Sequence, residues 1–473
     1  MKEILLNIWM LCATLCLSGC SSSDDDSPQG GDDTPPTFAD EGIHTLKAPL
    51  YWSIYEHCWL QERAGISSDK MDFTESQWAE VIDWVAKELK PYGYTMLCTD
   101  GFIPMLATDA SGYMTQYGSM PLKKLVEMCR AKGLELGVYD NPLWLHGPDN
   151  TPIAGTNGLT FGDLKYKSED FVENPGKGDL WFWWAVATHD GAKEYIDGFF
   201  KHYSELGIKY IRMDFLSWYE DGNDRGMGVV GRGYGRDCYE KALQYICESA
   251  KKYGVFTSLV MPHMYKSAEL ESKYGHMARI VADTGNGGWG HVSDNDRRKN
   301  YGTWPNCNNQ FDGFVYWSKV AGRGRMIMDG DFLRLNTLST DAEKQFAVSL
   351  QLMAGGPVTV ADLPGSIGDN LKFYQNQELL QLNKDRFAGK PLSNSLIDSK
   401  NQIWYGQMTD GSWVVGIFNR DASQKSFSVK LSDLGINGTR KVRDLWLHAD
   451  EGETDHLDVT LGAHACKIVK LTK

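Results

Sequence analysis

Ile208-Lys209-Tyr210-Ile211-Arg212-Met213-Asp214-Phe215 reads as a buried β-strand that ends in a carboxylate. A run this apolar is normally covered on both faces, as in parallel sheets. An Asp at its C-terminal end then lies at the mouth of whatever the strand helps to build. The same pattern recurs on both sides of it. Strands are expected at Lys47 to Trp52, Tyr94 to Asp100, Leu134 to Asp140 and Ile208 to Asp214. Four more follow at Val255 to Met261, Ala278 to Asp283, Arg325 to Asp329 and Pro357 to Asp362.

Between them lie amphipathic helices. Thr74 and Gln77 form a capping box ahead of Trp78, Val81, Ile82, Val85 and Leu89. Leu122, Leu125, Val126 and Cys129 repeat that spacing and stop at Gly133. Ile196, Phe199, Phe200 and Tyr203 line the helix that feeds Asp214, which Gly207 ends. Strand and helix alternating over residues 44–386 give an α/β fold, a (β/α)8 TIM barrel.

Six of the strands end in Asp, at 100, 140, 214, 283, 329 and 362. Asp is disfavoured inside strands, so their placement converges carboxylates on the face where barrel enzymes keep their sites. Helix capping accounts for one or two of them but not readily for six. A long connection, Asn141 to Thr188, carries Trp144, His146, Trp181, Trp183 and Trp184. It is expected either to wall a substrate cleft or to form an insertion with its own small core. From residue 387 to 473 the pattern changes to short strands with turns such as Asp410-Gly411 and Asn437-Gly438. That is a C-terminal antiparallel β-sandwich domain.

The chain has 473 residues and a net charge of −14, which argues against nucleic acid as a partner. Sixteen Trp suit a neutral carbohydrate partner, although most are expected in the core. Ile4 to Leu17 is an apolar run too short to span a bilayer. It ends in Leu17-Ser18-Gly19-Cys20, which resembles the bacterial lipobox, so 1–20 is expected to be a lipoprotein signal peptide with Cys20 lipidated. Residues 21–43 are an acidic, flexible tether. Ser21 to Asp26 resembles an export tag for the outer face of the outer membrane, with the periplasmic face as the alternative. The membrane is expected as a partner only through that lipid. The seven Cys beyond Cys20 show no disulfide framework and no CxxC.

No metal or cofactor is expected: the His lack ligand spacing, and no phosphate loop or GxSxG elbow is present. Paired carboxylates at a barrel mouth remain, and glycoside cleavage uses such a pair.

The chain also resembles the α-galactosidase-like glycoside hydrolase family twenty-seven. Ala48-Pro49-Leu50-Tyr51-Trp52-Ser53 is similar to its P-M-G-W-N-S, and Gly93 through Asp100-Gly101 to its G-Y-x-Y-x-x-x-D-D. Lys132 to Tyr139 is similar to K-G-L-K-L-G-I-Y, Arg212-Met213-Asp214 to K-Y-D, and Arg279 to Asp283 to R-x-x-x-D. Asp329 to Leu333 resembles D-P-D-M-L, and Val442 to Trp446 the V-R-D-L-W of the sandwich. The resemblance implies a retaining mechanism, with Asp214 as nucleophile and Asp283 as acid/base, their carboxyls about 5–5.5 Å apart. It implies that Arg212 and Arg279 keep the nucleophile ionised and bind hydroxyls. It further implies that Trp52 faces the sugar ring and that Asp100 and Tyr139 bind its hydroxyls.

The departures bear on the sugar. Gly101 stands where the family has a second acid, and Leu259-Val260-Met261-Pro262 replaces C-E-W-P. The leading expectation is a retaining exo-α-glycosidase acting on α-galactosides. An isomaltodextranase-like α-1,6-glucan hydrolase is the alternative, and a catalytically dead, glycan-binding surface lipoprotein is the reading from another class.

Overall fold

The computed structural model describes residues 44–104, 107–179, 182–294 and 299–473. The signal segment, Cys20, the tether and Trp181 lie outside the described residues. Eight parallel strands form one sheet. They are β1 (Leu50–Ser53), β2 (Met96–Cys98), β3 (Glu135–Tyr139), β4 (Tyr210–Met213), β5 (Phe256–Leu259), β6 (Met277–Arg279), β7 (Ile327–Asp329) and β8 (Val358–Val360). Neighbours in sequence are neighbours in space, and β8 pairs with β1. Leu333, just beyond β7, bridges Val360 in parallel and closes the ring. This is the (β/α)8 barrel.

The strands are shorter than the apolar runs. Asp214 lies one residue past β4, whereas Asp283 lies four residues past the end of β6, in a loop.

Helices surround the barrel: α1 (Tyr55–Arg63), α2 (Glu75–Trp84), α3 (Leu122–Ala131), α4 (Ala192–Leu206), α5 (Arg236–Tyr253), α6 (Tyr265–Tyr274), α7 (Gln310–Trp317) and α8 (Asp341–Ala354). The Thr74/Gln77 capping box starts α2. Gly207, at φ +91°, ends α4 in the left-handed conformation, which costs Gly little.

Side chains alternate along each strand, so one parity faces the lumen and the other the helices. Tyr51, Met96, Cys98, Tyr210, Phe256 and Met277 fill the lumen floor. Two of them, Tyr51 and Tyr210, touch through hydroxyls 3.3 Å apart. Ile211 and Met213 face outward into the main core, and Arg212 faces inward at the next level up.

The same parity corrects one expectation. Because Tyr51 occupies the lumen, Trp52 points out into the helical layer. It is fully buried, packs edge-on to Trp78, and donates Nε1–H to the Asp362 carbonyl at 3.0 Å. It does not face a sugar.

The long connection after β3 is no satellite. A hairpin of Trp144–Leu145 with Trp183–Trp184 anchors it, and Leu145, Ile153, Phe161, Leu164 and Trp184 join the main core. Its Trp144 stacks on Phe182 at 4.0 Å and also touches Phe215, next to Asp214.

After the barrel come β9 (Lys390–Pro391), β10 (Ile403–Gln407), β11 (Trp413–Phe418), β12 (Lys425–Lys430), β13 (Arg440–Asp444), β14 (Ala449–Thr454), β15 (His456–Leu461) and β16 (Cys466–Thr472). Six form one antiparallel sheet, in the order β9-β10-β11-β16-β13-β14, and β12 pairs with β15. The two layers enclose a core of their own, which includes Val415, Ile417, Leu431, Val442 and Val469. All seven described Cys are free thiols, six of them buried.

Candidate active site

The mouth of the barrel is built on two strand ends. At β4, Asp214 is 9% exposed. Its Oδ2 accepts from the Tyr139 hydroxyl at 2.9 Å, and its Oδ1 from the Phe215 N–H at 2.8 Å. Phe215 adopts φ +63°, a left-handed conformation unusual for an aromatic residue. That kink turns its N–H back onto the carboxylate. Asn141 donates to the Asp214 carbonyl at 2.8 Å, so backbone and side chain are both fixed.

At β6, Asp283 is different. Its side chain is 66% exposed and is held by an ion pair with Arg279. Arg279 is 2% exposed and also donates Nε–H to the Val281 carbonyl at 3.0 Å. Thr284, the next residue, donates its N–H and hydroxyl to Asp331 Oδ2 at 2.7 and 2.9 Å.

Asp331 is the hub that the motifs left without a role. It is 1% exposed and lies 3.4 Å from Arg212 and 3.5 Å from Arg279. One carboxylate thus holds both guanidiniums and the start of the Asp283 loop. Burial alone would raise its pKa, but Arg279 and Arg212 outweigh burial and hold it below the usual range. Its φ of +68° is uncommon outside Gly. The second acid of Asp329-Gly330-Asp331 was the available signal in the sequence. No periodicity could say that it meets both arginines.

For Asp214 the balance falls the other way. Burial raises its pKa, Arg279 and Arg212 oppose that, Asp283 adds to it, and the net shift is upward. The two arginines act in the expected direction, lowering the pKa of Asp214, and burial outweighs them. Asp100 is pushed up to about 7, first by burial and then by Asp214 and Asp283, against Arg212. These shared influences bring Asp100, Asp214, Asp283, Arg212 and Arg279 into one electrostatic cluster with Tyr139.

The remaining Asp residues divide. Asp329 faces the cluster at 3.9 Å from Arg212 and accepts the Asp331 N–H at 2.8 Å. Asp140 accepts from the Tyr203 hydroxyl at 2.5 Å and the Asn141 N–H at 2.8 Å. Asp362 accepts from Tyr374 at 2.7 Å and from the Leu335 and Asn336 N–H groups. Those two tie loops and helices together.

Gly101 has a specific neighbour. A Cβ there would lie 2.5 Å from the Tyr139 ring. The ring fills the space a second acid would need, while its hydroxyl reaches Asp214.

A parallel barrel with a buried carboxylate, an exposed carboxylate and two arginines at its C-terminal mouth carries the kind of acid pair that glycoside hydrolases use on O-glycosyl bonds. The comparisons agree. Residues 398–471 match the model of the alpha galactosidase C-terminal beta sandwich domain. The chain is 37% identical over 442 residues to an isomalto-dextranase of Arthrobacter globiformis, covering 90% of this chain and 67% of the relative. The solved isomalto-dextranase of A. globiformis T6, complexed with panose, superposes with a TM-score of 0.82 at 35% identity, over 93% of this chain and 75% of that one. A Geobacillus stearothermophilus β-L-arabinopyranosidase shares the fold, with a TM-score of 0.68 at 19% identity over 92% of this chain and 98% of that one. The chain belongs to the α-galactosidase-like glycoside hydrolase family twenty-seven.

Proposed function

We propose that this protein is a retaining exo-acting α-glucan hydrolase that releases isomaltose from α-1,6-linked glucan. Asp214 attacks the anomeric carbon while Asp283 protonates the departing glycosidic oxygen. Water then gives a proton to Asp283 and displaces Asp214, so configuration is retained. Tyr139 and the Phe215 N–H orient the nucleophile. Asp283, open to solvent, is free to meet both the leaving group and water. Arg212 and Arg279 limit the cost of charge on the acids, and Asp100 takes sugar hydroxyls.

Gly101 carries the choice of sugar. With no second acid and Tyr139 against that position, the grip on an axial hydroxyl is weakened, and likeness to an isomalto-dextranase supports a glucan. Retention of Asp100 and the sandwich domain favour an α-galactoside as the second reading. We further propose that the chain is an exported lipoprotein, lipidated at Cys20 and carried on the outer membrane.

The test is a panel of dextran with aryl α-glucoside, α-galactoside and β-L-arabinopyranoside, the first-formed anomer being followed by NMR. Disaccharide released from dextran in the α-configuration is the expected result. Cleavage of the galactoside alone would overturn the glucan reading, a β-configured first product would remove the nucleophile role, and binding without cleavage would leave a dead scaffold. Radiolabelled palmitate should enter the wild type and not Cys20→Ala.

A further inference from the structure

The segment from Asp283 to Asp294, beyond β6, is held at its start and at its end, and its end reaches the other domain. Arg420, just past β11 of the sandwich, is buried against the barrel and pairs with Asp312 of α7 at 2.8 Å, both side chains 0% exposed. Its Nε donates to Ser293 Oγ at 2.7 Å and a terminal nitrogen to the Asp294 carbonyl at 3.3 Å. Ser293 N–H in turn donates to the Trp289 carbonyl at 2.8 Å. From the same domain, His464 stacks on Trp289 with centroids 4.0 Å apart and planes at 14°, and its Nδ1 meets Glu343 at 2.8 Å. Back toward the site, His291 Nε2 lies 3.2 Å from the Thr284 hydroxyl, next to Asp283.

We propose that the C-terminal sandwich positions the acid/base loop, with Arg420 and His464 as positioning residues. A fully buried ion pair adds little stability over an apolar pair, so geometry is the better reason for Arg420. Arg420 grips the loop after the short helix Trp289–Val292, and His464 braces the face of that helix. Asp331 and Arg279 hold the near end. Asp283 therefore hangs from a strap fixed on one side by the barrel and on the other by the second domain.

The proposal rests on Asp283 being the acid/base. Proton donation matters for a poor leaving group and little for dinitrophenolate. The measurement is kcat/KM of Arg420→Lys and His464→Ala on an isomalto-oligosaccharide and on a 2,4-dinitrophenyl α-glucoside, or on the matching pair for whichever sugar the wild type cleaves. Lys keeps a cation for Asp312 but loses the fork to Ser293 and Asp294. His464 is partly exposed, so His464→Ala remains informative where Arg420→Lys does not fold. A fall of about tenfold on the oligosaccharide, with the activated substrate within about twofold, is expected. Equal falls on both substrates, or none, would overturn the proposal. Asp283→Ala is the control. If it lacks the split, the acid/base assignment fails and takes the proposal with it; if it shows the split and the sandwich variants do not, the proposal alone fails.

Discussion

The ends of β4 and β6 both present an Asp, and they are built on opposite principles. Asp214 follows its strand directly, is nearly buried, and has donors on both carboxylate oxygens. Asp283 sits in a loop, mostly exposed, and is braced from outside by Arg279 and the hub at Asp331. In the proposed mechanism Asp214 is the nucleophile and Asp283 the acid/base, and a group that forms a covalent bond must be immobile and aimed. A group that first gives and then takes a proton must reach a leaving group and then water. Rigidity is built into the strand end in one case and lent by neighbours in the other.

The harshest challenge to that division is Asp214→Asn. Loss of at least about 10³-fold in kcat/KM is expected on ordinary and activated substrates alike. Retained turnover of an activated α-glycoside would move the nucleophile elsewhere. Asp283→Ala should fall by about 10²-fold on an oligosaccharide yet much less on a dinitrophenyl glycoside. Tyr139→Phe tests how much the aim of Asp214 depends on one hydroxyl. Losing a charge-assisted hydrogen bond predicts a fall of about tenfold or more in kcat, with KM little changed.

Asp100 sharpens the comparison through pH. Its ordinary value of 3.8 rises to about 7 in the fold. A raised carboxyl pKa favours the folded state fully below the ordinary value, and that benefit is lost as pH rises through the folded value. Asp100→Asn should therefore raise Tm at pH 8 and leave it little changed or lower at pH 4. A gain of equal size at both pH values would refute the buried carboxyl. The smallest effect is Trp52→Phe. It deletes a buried hydrogen bond outside the site, so Tm should drop by about 2–4 °C with kcat unchanged. A changed kcat would return Trp52 to the sugar.

Much of the barrel could be read along the chain because its signals are local. The 3.6-residue periodicity, the Thr74/Gln77 cap and Gly207 each sit within a few residues of what they specify. The Asp residues after β2, β3, β4 and β8 were legible for the same reason. Where two apolar residues stood together, as at Tyr51-Trp52, local pattern left the parity open, and the place beside the sugar that the resemblance implied for Trp52 did not hold. The roles of Asp140 and Asp362 were also illegible, because their partners, Tyr203 and Tyr374, come from elements that meet them only once the barrel closes.

The sequence by itself determined the alternation of strands and helices, the sandwich that follows, and the row of Asp residues at or near the strand ends. All of these follow from short-range pattern. The tertiary structure decided which Asp residues share a cluster, made Asp331 its centre, and turned Trp52 outward. It also set burial against the two arginines at Asp214, because burial and Coulomb interactions depend on distances through space. Such distances between β4, β6 and the segment after β7 exist only in the closed ring.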